Sequence, residues 1–441
     1  MNLGRWLRLG IGVKRWIVVA FIGLTLLALA GALALRQVYR DVGVDVTSPF
    51  QAAISVLTLQ FLPYWGRALA ALGIGGGLFL YGAYRVVKAL LGPFTESADE
   101  PLVDLVYRRR LLARGPRIVA IGGGTGLSTL LRGLKERTAN VTAIVSVADD
   151  GGSTGKLREQ MGIPAVGDIR NCLVALAETE PAMGELLQYR FGTDEGNLSG
   201  HAVGNLLIAA MDRIDGGDFE AAIRHMNRVL AVRGRVVPAS GAPIVLRARL
   251  RDGSEIAGQS RIMHERAIDR VRIEPVDVRA SMDAVEAIRS ADLVVIGPGS
   301  LYTSVLPSLL VPELREALEQ TAATRVYVCN VATQEGETEG FDLSDHVEAL
   351  IAHVGGGLVD VVLADGSPTS GPDVELGVPV KLRWPPVGMA RRPRLVLDDV
   401  VAEGQRHHHD PALLAAALVR ILEREGQTRP SQAVTKATRS A

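Results

Sequence analysis

The chain has 441 residues, with 48 Lys and Arg balanced by 48 Asp and Glu. That length exceeds one ordinary domain, and the neutral balance offers no bulk attraction for nucleic acid, so no nucleic-acid partner is expected. Glycine is abundant and aromatics few, as in an α/β protein with many tight turns; the two cysteines, Cys172 and Cys329, lie in apolar runs, which excludes a disulfide framework and reads as buried thiols.

Residues 16–35 form an uncharged run about as long as a bilayer is thick. Residues 68–84 form a second, glycine-rich run, with the helix read on to about 90. Arg5, Arg8, Lys14 and Arg15 precede the first run, and Arg85, Lys88 and Arg108-Arg109-Arg110 follow the second; only Arg36, Arg40 and Arg67 lie between. The positive-inside rule then gives a two-helix transmembrane hairpin over residues 1–95 in the cytoplasmic membrane, with both termini and the main domain in the cytoplasm. Two other readings are a signal peptide cleaved near Ala32-Leu33-Ala34, for which the apolar core is long, and a pair of buried core helices. The apolar stretch 49–65 fits the outer interface or the hairpin itself. Residues 96–115 read as a linker, acidic then basic, with a helical patch at 102–107.

From residue 116 short apolar runs alternate with helical periodicity. Strands are expected at 118–121, 141–147, 293–296, 325–329 and 359–363, and helices at 127–135, 169–178, 205–214, 282–290 and 312–321. Continuous apolar strands alternating with helices predict a Rossmann-like, doubly wound, mostly parallel α/β sheet. Residues 236–274 break the rhythm: 245–250, Asp252-Gly253 and 255–262 read as a hairpin in a small β insertion. The domain is expected to span 116–425, and the polar residues 426–441 read as a disordered tail.

Five strand ends carry glycine or polar residues. The first is Gly122-Gly123-Gly124-Thr125-Gly126; it lacks a Walker lysine, and Leu127 stands where a dinucleotide fingerprint has its third glycine. It offers backbone N–H groups and a helix N-terminus to an anion, or is only a tight turn. Asp149-Asp150-Gly151-Gly152 follows the second strand; the two acids can bind ribose hydroxyls or a divalent cation such as Mg²⁺, or merely shape the turn. Lys156 and Arg158 can meet phosphate or form a solvated helix face. Asp168 reads as an N-cap with Arg170 and Asn171 behind it, and His201 and Asn205, four apart, can share a helix face or cap it. Gly297-Pro298-Gly299-Ser300, with Tyr302 and Thr303, repeats the theme on a later strand. Asn330, with Thr333 and Gln334 beyond it, and Asp365-Gly366 close two more. No cofactor is required by this pattern. His407-His408-His409-Asp410 invites a metal reading, but three consecutive residues converge poorly on one ion, so a cap before Pro411 is expected instead.

Taken together, GGGTGLSTLLRGLK, VADDGGSTGKLR, VGDIRN, SGHAVGNLL, VRGRVVPAS, GPGSLYTSVLPSLLV and CNVATQEGETEGF resemble the YvcK family of gluconeogenesis factors, similar in fold to the 2-phospho-lactate transferase CofD. The resemblance spans about residues 116–424. It implies a UDP-sugar ligand such as UDP-N-acetylglucosamine, a homodimer, and a role in envelope synthesis, cell shape and growth on gluconeogenic carbon. It also implies that Gly122 to Gly126 and Gly297 to Thr303 line the nucleotide and phosphate site, that Asp149 and Asp150 stand where the transferase uses an acid with a divalent cation, that Asn171, Asn205 and Asn330 are pocket residues, and that Arg406 contacts the sugar nucleotide. The histidines after Arg406 unsettle that last register. Two functions follow: a membrane-tethered UDP-sugar-binding regulator without turnover, and a metal-dependent CofD-like phosphoryl-type transferase. No nucleophile–base pair is evident in the sequence.

Overall fold

The computed structural model describes residues 102–178, 181–192, 194–265, 267–366, 378–386, 392–402 and 405–428, together with the isolated helical positions Leu24 and Ala28. The chain divides into two units, Met1–Arg110 and Leu111–Ala441. Apart from Leu24 and Ala28, the expected hairpin at 16–35 and 68–90 lies outside the described residues; of the expected tail at 426–441, residues 426–428 end the last helix and the rest lies outside them too. No helix among the described residues is long and apolar enough to cross a membrane. The expected linker contributes the helix Leu102–Ala113.

Seven parallel strands form the core sheet: β1 (Ile118–Gly122), β2 (Val141–Val145), β3 (Arg235–Pro238), then β7 (Leu293–Ile296), β8 (Thr324–Val328), β9 (Val361–Asp365) and β10 (Arg394–Asp398) after the insertion β4 (Val245–Leu250), β5 (Glu255–Ala257), β6 (Ile268–Glu274). The order across the core sheet is β10-β9-β8-β7-β1-β2-β3. β1, β2, β7 and β8 are buried at every position, which is why they read as continuous apolar runs rather than alternating ones. Two edge strands escaped the sequence reading. β3 belongs to the core sheet, not to the insertion that was expected to begin at 236. Its outer edge is closed by a side chain: Asn227 accepts from Val236 N (2.9 Å) and donates to Val236 O (2.8 Å), standing in for a neighbouring strand.

The insertion is a three-stranded antiparallel sheet, β5-β4-β6. Its hairpin is shorter than expected. The second arm stops at Ala257, and Gly258 turns the chain into the short helix Gln259–Ile262.

Order reverses at the centre of the core sheet. From β1 the chain builds outward through β2 and β3, then returns to lay β7 on β1's other side and builds outward to β10. Right-handed crossovers in opposite directions leave a crevice between the loops after β1 and β7.

Candidate functional site

The crevice is built by glycines that no side chain can replace. After β1, Gly123 is the extended N-cap of helix α1 (Gly124–Leu134), so the expected loop is in fact the first helical turn. A Cβ on Gly126 would lie 2.7 Å from Pro298 O and 3.0 Å from Gly299 Cα; one on Gly299, whose φ is +151°, would lie 3.2 Å from Gly123 O. The two loops therefore touch backbone to backbone. A helix N-terminus with its first-turn N–H groups opens at this contact.

Side chains behind the second loop hold it in place. Asn330 accepts from Gly299 N (3.2 Å) and donates to Gly299 O (3.0 Å), and Ser300 Oγ donates to Gln334 Oε1 (2.7 Å). Tyr302 and Thr303 do not line the crevice as expected. They lie within a π-helical turn, Leu301–Val305, and are buried. Thr303 Oγ1 and Tyr302 N both donate to the buried carboxyl of Glu337, whose pKa burial raises. The Tyr302 ring packs edge-on against Phe341 and His353, and burial pushes its phenol up to about 12.

The three carboxylates near β2 divide their work differently from the sequence expectation. Asp150 turns to the insertion: its Oδ1 accepts from Ser260 N (2.8 Å), capping the Gln259–Ile262 helix, and its Oδ2 crowds Gly258. Asp149 Oδ1 accepts from Gly151 N (2.9 Å), while its Oδ2 lies 3.1 Å from where a Cβ on Gly167 would stand. Gly167 begins helix α3 (Gly167–Leu176), which follows helix α2 (Gly152–Met161). Asp168 is not the N-cap of α3; Val166 is. Its carboxylate reaches across to the β1 loop instead, accepting from Gly124 N–H and filling the space beside Gly123. Burial at the crevice floor, then repulsion from Asp149, push Asp168 up to about 7, although its surface keeps some solvent contact. The acid pair facing the crevice is thus Asp149 with Asp168. Among the described residues no three His, Cys, Asp or Glu side chains gather to hold a metal. Two carboxylates with spare lone pairs beside a helix N-terminus nevertheless fit Mg²⁺, which commonly takes one or two carboxylates plus ligand phosphate and water.

Neither Lys156 nor Arg158 faces the crevice as a phosphate ligand. Arg158 donates to the carbonyls of Asp149 (2.7 Å) and Ile244 (2.7 Å), tying the β2 end to the insertion. Lys156 Nζ donates to Ser199 O (3.1 Å) on the surface.

His201 and Asn205 do meet, through Ser153 rather than through helical spacing. Helix α4 (Val203–Ile214) starts after His201. Ser153 Oγ lies 3.1 Å from His201 Nδ1 and accepts from Asn205 Nδ2 (3.0 Å), and Arg170 bridges Asn205 Oδ1 (3.0 Å) and Asn171 Oδ1 (2.9 Å). Sequence reasoning missed Ser153, Arg170, Asp168 and Glu337 as members of these networks. Their hydrogen-bond partners are 34 or more residues away, apart from Arg170–Asn171, so no local spacing announced them.

At the far side, Asp365 closes β9, and β11 (Val401–Ala402) pairs antiparallel with β12 (Gln405–His409). Arg406 lies on β12. Asp410, not a histidine, caps helix α5 (Pro411–Thr428), accepting from Ala412 N and Leu413 N (both 2.8 Å). Burial pushes His409 down to about 4, so it is a neutral core residue. Cys172 and Cys329 are free, buried thiols, and burial raises both above the ordinary thiol range.

Comparison with known proteins fits this geometry. The family described as 2-phospho-L-lactate transferase CofD matches residues 118–376. The "Gluconeogenesis factor" of Bacillus subtilis is 49% identical over 256 residues, 58% of this chain and 80% of its own. A relative from Nostoc sp., described as a "Putative gluconeogenesis factor", is 42% identical over 426 residues, 94% of this chain and 92% of its own. A crystal structure of a UPF0052-family protein from Bacillus halodurans is 44% identical, covers 69% of this chain and 99% of its own, and superposes with a TM-score of 0.64. The chain belongs to the CofD-like family of gluconeogenesis factors, also called the YvcK family.

Proposed function

We propose that the protein is a nucleotide-sugar-binding regulator, with UDP-N-acetylglucosamine or a close analogue as its ligand, reporting carbon supply to envelope synthesis. The observation that carries this reading is the backbone-to-backbone contact of the Gly123–Gly126 and Pro298–Gly299 loops at the reversal of strand order. Such a contact leaves the N–H groups that follow that of Gly124, at a helix N-terminus, for a diphosphate, at the place where open α/β sheets take nucleotides.

A second reading is a divalent-metal-dependent CofD-like transferase. It is favoured by the acid pair Asp149 and Asp168 beside that helix N-terminus. Phosphoryl-type transfer asks mainly for positioning and charge neutralisation, which a cation on this pair would supply.

Titrating the full-length protein with UDP-N-acetylglucosamine by calorimetry, with and without Mg²⁺, and recovering the ligand afterwards separates the two. Saturable binding with intact ligand is expected. Consumption of the ligand that depends on Mg²⁺ would establish the transferase, and absence of binding would remove the nucleotide-sugar reading.

A further inference from the structure

Arg170 is a buried charge without a hydrogen-bonded counter-charge. The residue is 8% exposed, and its Nε is buried with no hydrogen-bond partner. Its terminal nitrogens meet amides rather than carboxylates: Nη1 donates to Asn205 Oδ1 (3.0 Å) and Nη2 to Asn171 Oδ1 (2.9 Å). Asp168 and Asp149 attract the guanidinium only through space, and Arg190 repels it. Burying a cation this way is costly, and packing alone does not account for it.

What the guanidinium does is orient amides. It can only donate, so the amide atom that meets it must be the oxygen. Both asparagines therefore turn their carbonyls to Arg170 and their NH₂ groups away. For Asn205 that NH₂ reaches Ser153 Oγ, which also accepts from Ala202 N (3.4 Å). The single hydroxyl proton is left for His201 Nδ1, so His201 is the neutral tautomer with its proton on Nε2. A one-way chain of donors runs from Arg170 through Asn205 and Ser153 to His201, each bond polarising the next.

The other branch ends at Asn171. Asn171 is half-buried and sits three residues after Asp168 in α3, hence on the helix face that meets the β1 loop. We propose that Arg170 is a positioning residue which presents the NH₂ of Asn171, and not its carbonyl, to the crevice. This wall then recognises an acceptor oxygen of the kind a phosphate or diphosphate carries. The inference rests on the reading of the crevice as a nucleotide-sugar site.

It makes stability and binding move apart. Asn171→Asp keeps the side chain's shape, gives Arg170 the carboxylate it lacks, and replaces the NH₂ donor by a negative oxygen. In the full-length protein, Asn171→Asp should keep or raise Tm while weakening UDP-N-acetylglucosamine at least ten-fold. Arg170→Lys, which keeps the charge but not the two-pronged hold, should also weaken binding, without any gain in Tm. Binding by Asn171→Asp at wild-type strength, or a loss that comes with a fallen Tm, would overturn the proposal. Inorganic pyrophosphate is the second probe, because it carries acceptor oxygens without uridine or sugar. If the wild type binds pyrophosphate alone and Asn171→Asp does not, the nucleotide-sugar reading fails and the inference stands. If both bind pyrophosphate equally, or the wild type binds neither probe, the inference fails.

Discussion

Asp168 shows how one carboxyl records its surroundings. Unfolded, it titrates near its ordinary 3.8; folded, burial and the neighbouring Asp149 bring it to about 7. Between those values the folded protein holds a proton that the unfolded chain has released. Its favourable contribution is complete below the unfolded value and is lost as pH rises through about 7. Wild-type Tm should therefore fall between pH 5 and pH 8 relative to Asp168→Asn, leaving the variant the more stable at pH 8 by roughly 2–5 °C. Mg²⁺ added at pH 8 should narrow that gap by raising only the wild type, since a cation favours the ionised pair. Thermal melts of the two proteins at both pH values check this. Parallel curves would show that Asp168 is not the group that titrates. Glu337, also raised by burial, is common to both proteins and cancels in the comparison.

Among the elements, strand β1 and helix α1 act as one unit with the loop after β7. Gly126 faces Pro298 O so closely that Gly126→Ala must push the loops apart. Such overpacking typically costs about 1–3 kcal/mol. UDP-N-acetylglucosamine affinity should fall with it, because the N–H groups at α1 lose their register against Gly299. A variant that binds normally in calorimetry while melting lower would show that the loop contact is structural only. Elements of this kind were legible in the sequence where burial made them so. β1, β2, β7 and β8 are apolar at nearly every position because both faces are covered, and helix α1 was found by its repeating leucines. β3 was hidden because Arg235 and Pro238 interrupt it at an edge, where Asn227 replaces a partner strand. The glycine loops and Asn330 were visible as polar strand ends. The division of labour among Asp149, Asp150 and Asp168 was not, because it depends on which neighbour each carboxylate meets across the fold. Adjacent residues on an extended segment point to opposite sides, and Asp150 follows that rule away from the crevice to Ser260.

At the scale of the whole molecule, the segment that precedes the domain decides where the domain works. The Nostoc relative matches 94% of this chain, which leaves too few residues for the N-terminal segment to lie outside the match, so the extension is not peculiar to this protein. The Bacillus subtilis relative matches 58% of the chain and 80% of its own length. We propose that residues 1–95 tether the domain to the cytoplasmic face of the membrane. The twenty uncharged residues at 16–35 are sufficient to span a bilayer, and the basic residues flanking the two apolar runs bias both ends inward. The full-length protein should then sediment with membranes and resist extraction by alkaline carbonate, whereas a chain beginning at Glu96 should remain in the supernatant. Release of the full-length protein by carbonate would leave at most a peripheral attachment. The mass of the membrane-bound protein carries a second decision. An intact N-terminus supports the hairpin; a new one just after Ala34 would make 16–35 a cleaved leader and leave the run at 68–84 as the sole anchor. Retention would then depend on that shorter, glycine-rich segment, and breaking it with two charged residues should free the domain, a result the intact hairpin would resist.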